Sequence, residues 1–174
     1  MDRPTPSRPI LLVGLPGAGK STIASLLAKT LGLPSHDSDR LIEAALGRSV
    51  ADIFREEGEA YFRREERRVL LSLLTGSTAV IAAGGGALLD PDVRALAGGR
   101  TTMVWLDAGP DILTARLGEA VDRPLLAGDV RGMLAALKAA RDPVYALAPI
   151  RIDAAPPRME IVDAILAALA EPVR

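Results

Sequence analysis

The chain has 174 residues, 49% of them hydrophobic, and a formal net charge of −1. That length and apolar content suit one domain with a full core. The near-neutral balance, with no basic arm and no basic stretch interleaved with aromatics, gives no electrostatic case for a nucleic-acid partner.

The absence of cysteine excludes a disulfide framework, a thiolate metal site and a cysteine nucleophile. Asn and Gln are absent too, so the chain can build neither an Asn-Lys-x-Asp guanine reader nor a glutamine that positions attacking water. Residues 1–9 are polar and proline-rich, and the apolar run after them is far too short for a signal peptide or a membrane span. A soluble cytoplasmic protein with no membrane partner is expected.

The first apolar run, Ile10-Leu11-Leu12-Val13, reads as a strand. It leads into Gly14-Leu15-Pro16-Gly17-Ala18-Gly19-Lys20-Ser21 and then a helical pattern over 20–31. G-x-x-x-x-G-K-S between strand and helix is the setting of a phosphate-binding P-loop. Its glycines let backbone N–H groups turn toward a polyphosphate, and the helix start adds its positive dipole end. A nucleoside triphosphate is therefore expected on Gly17, Ala18, Gly19, Lys20, Ser21 and Thr22. Lys20 would bridge the β- and γ-phosphates, and the Ser21 hydroxyl would ligate Mg²⁺.

A short strand is expected around 33–36, followed by His36-Asp37-Ser38-Asp39 and helices over 38–46, 50–56 and 59–74. Carboxylates at i and i+2 point in different directions, so one can face Mg²⁺ and the other a substrate. Asp37 or Ser38 equally suits the N-cap of the next helix. His36 has no second His or Cys beside it and is not assigned to a metal. Residues 56–68 form a charge run that reads as a solvated helix face with i,i+4 pairs such as Glu59 and Arg63; spacing alone does not single out a functional arginine.

The third strand, 79–83, ends in Gly84-Gly85-Gly86, where many P-loop proteins carry an acidic residue for the metal. Its absence favours Asp37 as the metal partner. The triplet is either a tight turn or bare backbone that an anionic substrate can approach closely. The fourth strand, 102–106, contains Trp105, expected to be buried and without function, and precedes a helix over 110–117. Residues 118–129, with Gly118 and Gly128 near the two ends, break the helical pattern. They read as a lid whose Arg123 can reach a transferring phosphate, or else as an ordinary surface loop. Helices over 130–147 and 157–169 flank a last strand at 150–152. The alternation of strands and helices implies an α/β fold with a parallel sheet covered on both faces.

Taken in order, Gly14 to Thr22, Asp37-x-Asp39, Ile53-Phe54 with Gly58-Glu59, Phe62-Arg63-x-x-Glu66, Gly84-Gly85-Gly86, Arg123-Pro124-Leu125-Leu126 and Arg141-x-Pro143-x-Tyr145 resemble the motifs of shikimate kinases. These are small P-loop enzymes of the nucleoside-monophosphate-kinase-like group. The resemblance runs from about residue 10 to residue 153. It implies a single-domain P-loop fold with a five-stranded parallel sheet of order 2-3-1-4-5, a mobile lid and a monomeric state. The implied activity is transfer of the γ-phosphoryl group of ATP to the 3-hydroxyl of shikimate, a step of aromatic amino acid biosynthesis.

The resemblance further implies shikimate contacts from Asp39, Arg63, the Gly84, Gly85 and Gly86 backbone, and Arg141. Asp37 would hold Mg²⁺ through water alongside Ser21, Arg123 would act on the phosphates, and Arg116 would lie against the adenine. Asp39, Lys20 and Arg123 are the expected catalytic group, with Asp39 orienting the attacking hydroxyl and taking its proton. Two arginines suit the substrate's carboxylate. The chain departs from the family pattern at Asp153-Ala154-Ala155-Pro156-Pro157-Arg158, where the prolines are kept and the arginine is shifted. An Asn after the glycine triplet and an acid after Tyr145 are missing as well. A gluconate kinase and a non-catalytic nucleotide-binding module are the alternatives, although pure nucleotide binding does not require Asp39.

Overall fold

The computed structural model describes residues 6–118 and 129–171. Strand β1 (Ile10–Val13) is followed by α1 (Lys20–Leu31), β2 (Ser35–Asp37), α2 (Ser38–Leu46), α3 (Val50–Glu57) and α4 (Glu59–Thr75). Then come β3 (Val80–Ala82), α5 (Pro91–Arg100), β4 (Thr102–Asp107), α6 (Pro110–Gly118), α7 (Val130–Tyr145), β5 (Ile150–Asp153) and α8 (Arg158–Ala170). The five strands form one parallel sheet in the order β2-β3-β1-β4-β5, as expected.

β1 lies at the centre and all four of its residues are buried, which is why it reads as an unbroken apolar run. β2 and β5, at the edges, leave residues partly exposed. The register aligns the carboxyl ends of the strands: Leu12 sits beside Ala82 and Val104, Asp37 beside Ala82, and Asp107 beside Asp153. One edge of the sheet thus carries the P-loop, the Asp37–Asp39 pair and the glycine triplet together, at the crevice where ligands of such sheets bind.

The main core packs α1, α4, α5 and α8 on this sheet through fully buried side chains such as Leu27, Leu70, Leu74, Val93 and Ile165. A second, smaller cluster joins Ile42, Ile53, Phe62 and Val69 from α2, α3 and α4. It holds that three-helix unit together, and with it Arg63. Trp105 is buried, as expected, and Ile161 and Ile165 of α8 face inward.

Helix α5 was not expected from the sequence. Asp90 starts it by accepting from the Asp92 and Val93 N–H groups at 3.0 Å, with Pro91 at the first helical position. Its apolar stripe amounts to Val93, Leu96 and Ala97 before Gly98-Gly99, so the periodicity is weak. α7 ends at Tyr145, two residues short of its expected end, with Ala146 as its C-cap. Among the described residues no helix is long and apolar enough to cross a membrane.

Candidate active site

The turn from β1 into α1 is built on glycines. Gly14 adopts φ +144°, and a Cβ there would stand 2.5 Å from the Leu106 carbonyl oxygen; any other residue would push the loop off the neighbouring strand. Gly19, at φ +90°, enters α1 in the left-handed region. α1 begins with no side-chain cap and no acid in its first turn. By contrast, α2, α3, α5 and α7 are capped by Asp37, Ser49, Asp90 and Asp129. The first N–H groups of α1 and its dipole therefore face the cleft uncompensated, a setting for an anion. Lys20 Nζ donates to the Gly14 and Leu15 carbonyls at 2.7 and 2.9 Å, which holds its charge over the loop.

The structure bears out the capping reading of Asp37 and engages both of its oxygens. Oδ1 caps α2 by accepting from the Arg40 N–H at 3.1 Å, and Oδ2 accepts from the Ser21 hydroxyl. A hydroxyl and a carboxylate oxygen thus meet at the mouth of the P-loop, and hard oxygens of this kind suit Mg²⁺. Among the described residues no group of three or more His, Cys, Asp or Glu could hold a metal alone.

Asp39, one helical step on, turns the other way. Its Oδ1 is buried and has no hydrogen-bond partner. Burial, reinforced by the charges of Asp37 and Glu66 and opposed by Lys20, pushes its carboxyl up to about 6. A carboxylate poised there is suited to take a proton near neutral pH.

None of the triplet glycines has positive φ; their backbone instead lies against the side-chain ends gathered around it. A Cβ on Gly84 would collide with Glu66 Oε1 and stand 2.8 Å from Asp39 Oδ1. On Gly85 it would stand 3.0 Å from Arg141 Nη1 and 3.1 Å from Pro16 Cδ, and on Gly86 it would run into the Arg63 guanidinium. The triplet therefore gathers Asp39, Arg63 and Arg141 from α2, α4 and α7 around one strip of bare backbone. Ser38 fixes the near end, its hydroxyl accepting from the Gly84 N–H at 2.9 Å.

The charge run on α4 needs correction at Glu66, which is only 3% exposed. Glu66 Oε2 pairs with Arg63 Nη1 at 2.6 Å while Oε1 is buried and unpaired. Burial raises its carboxyl against the pull of Arg63 and Arg141. The expected Glu59–Arg63 pair is present at 3.3 Å, so Arg63 is held from both sides. The i,i+3 spacing of Arg63 and Glu66 was the available signal for this clamp.

A cleft of about 480 Å³ runs from Asp39, Gly84 and Gly85 along residues 16–23 to Arg116, Leu117 and Arg158. Arg116, expected against a base, donates from Nη2 to the Ala154 carbonyl at 2.7 Å and lines the far end. The shifted Arg158 lines the same end. Arg123 and nearly all of the expected lid lie outside the described residues.

A sequence model of the shikimate kinase family matches residues 16–170. Among curated relatives, a shikimate kinase of Zymomonas mobilis is 47% identical over 164 residues, covering 93% of each chain. One of Caulobacter vibrioides is 43% identical over 168 residues, covering 95% of this chain and 84% of the relative. The solved shikimate kinase of Acinetobacter baumannii in complex with shikimate matches with a TM-score of 0.86 at 32% identity, covering 96% of this chain and 97% of that one. A gluconokinase of Sinorhizobium meliloti, at 21% identity and a TM-score of 0.56, shares the fold alone.

Proposed function

The chain belongs to the shikimate kinase family and is an ATP-dependent kinase, and we propose that it places the γ-phosphoryl group of ATP on the 3-hydroxyl of shikimate. The observation that carries this reading is the convergence of Asp39, Arg63 and Arg141 on three consecutive glycines beside the P-loop. Two guanidiniums and a carboxylate complement a small molecule that carries one carboxylate and several hydroxyls. Asp39, Gly84 and Gly85 line the same cleft as residues 16–23, which supports in-line transfer from a nucleotide held there.

In this reading the backbone N–H groups of residues 17–22, the α1 dipole and Lys20 bind the polyphosphate, and Arg116 lies against the base. Arg63, held by Glu59 and Glu66, and Arg141 bind the substrate carboxylate, while the bare triplet lets the ring approach. Asp39 orients the attacking hydroxyl and accepts its proton, a role that its raised pKa supports. Ser21 and Asp37 would hold Mg²⁺, which when bound supplies positive charge at the β- and γ-phosphates. Arg123 would add charge to the transferring group from the segment before α7. Most of the rate enhancement then comes from positioning and from fixed charge that meets the developing charge of the transition state.

A coupled assay of ADP release, with shikimate and gluconate as parallel acceptors, tests the proposal. Turnover that depends on shikimate and is negligible with gluconate is expected; comparable turnover on gluconate, or none on shikimate, would reject it.

A further inference from the structure

Tyr145 closes the Arg-x-Pro-x-Tyr motif, yet the phosphoryl-transfer scheme gives it no task. It is 2% exposed, and its hydroxyl donates across 60 positions of sequence to the Gly85 carbonyl at 2.5 Å. Gly85 is the middle glycine of the triplet, and a Cβ there would meet both Arg141 and Pro16 of the P-loop. Tyr145 and Arg141 lie one turn apart on α7, so a single helix both supplies a guanidinium to the triplet and grips the triplet's backbone.

The rest of α7 is anchored to the far edge of the sheet. Lys138 Nζ pairs with Asp107 at 2.5 Å and with Asp142 at 2.8 Å, and Arg151 pairs with Asp107 from β5. Trp105 lies under both cations, 5.2 Å from Lys138 Nζ and 4.5 Å from Arg151 Cζ, and its ring is 6.0 Å from that of Tyr145. α7 is therefore fixed to β4 and β5 by charge and ring contacts, and meets the turn after β3 through the Tyr145 hydroxyl, which Arg141 also engages.

We propose that Tyr145 is a positioning residue for the substrate half of the site: its hydroxyl sets the height of the Gly85 carbonyl and so the gap between the triplet and Arg141. This inference rests on the reading of Arg141 and the triplet as the shikimate cradle. Without the hydroxyl, the partly buried Gly85 carbonyl loses its acceptor role and the turn is free to shift relative to α7. The phenyl ring would remain in place against Trp105, so the fold has little reason to change.

The test is Tyr145→Phe in the full-length chain. Without the bond a smaller fraction of molecules holds the turn in the binding position, and a net hydrogen bond's worth of that equilibrium corresponds to a rise in shikimate KM of about five- to tenfold. ATP KM and kcat should stay within about twofold, and the emission of the single tryptophan, Trp105, should be unchanged. An unchanged shikimate KM would overturn the inference. So would a parallel rise in both KM values with shifted Trp105 emission, because that pattern marks a general packing defect. A wild-type chain inert toward shikimate would overturn the functional reading, and this inference with it; a wild-type chain active on shikimate leaves the variant to decide the inference alone.

Discussion

Asp39→Asn should raise the stability of the ligand-free protein while removing its activity. The carboxyl is held at about 6 against an ordinary value of 3.8. At about 1.4 kcal/mol per pH unit, keeping this group ionised at neutral pH costs the native state about 3 kcal/mol. The sign follows from proton binding. Between about pH 4 and 6 the native state keeps a proton that the unfolded chain releases, so Asp39 lowers stability as the pH rises through that window. Above the window the cost is fully present.

An amide in its place carries no charge and avoids the repulsion from Glu66, whose unpartnered Oε1 also stands beside Gly84. Urea unfolding at pH 4.5 and pH 7.5 on both proteins isolates the term. The variant should gain up to about 3 kcal/mol over wild type at the higher pH and much less at the lower. In parallel, wild-type kcat/KM for shikimate should fall with unit slope below about pH 6. A variant no more stable than wild type at pH 7.5, with no pH dependence of the difference, would refute a carboxyl raised by burial. It would also remove the physical basis for Asp39 as proton acceptor.

Three further outcomes are expected. Lys20→Ala should lower kcat by at least ~100-fold with an unchanged circular dichroism spectrum, the size typical of a lost charge-stabilising donor; near-normal turnover would remove Lys20 from the phosphate site. Arg123→Ala should reduce kcat far more than shikimate affinity, which single-turnover kinetics beside calorimetric shikimate binding would separate. Asp37→Asn should shift the Mg²⁺ titration of activity to higher concentration with shikimate binding intact; a shift in shikimate affinity instead would reverse the division of labour between Asp37 and Asp39.

Strands were legible wherever burial on both faces produced a continuous apolar run, as at residues 10–13, and helices wherever a periodic stripe met a cap. α5 shows the limit. Asp90-Pro91 is a clear start signal, but Val93, Leu96 and Ala97 are too small a stripe, and Gly98-Gly99 too strong a breaker, for periodicity to find it. The site divides in the same way. Backbone-encoded parts such as the P-loop and the glycine triplet stand in the sequence because glycine is the residue that fits. Glu66 is hidden because a buried clamp and a surface ion pair share one i,i+3 spacing on α4, and only packing against Gly84 separates them. Asp37 is a subtler case: the structure shows its cap on α2 through one oxygen and leaves the other with the Ser21 hydroxyl, and sequence spacing cannot divide the two oxygens in this way.

The central claim is that Asp39, facing the glycine triplet, directs one particular hydroxyl at the nucleotide. Proton and phosphorus NMR of the reaction product tests it most directly. The account predicts a single phosphate monoester, coupled to the proton on carbon 3 of shikimate, formed by wild type and lost in Asp39→Asn. Phosphate on another hydroxyl, a mixture of positions, or the same product at undiminished rate from Asp39→Asn would contradict it.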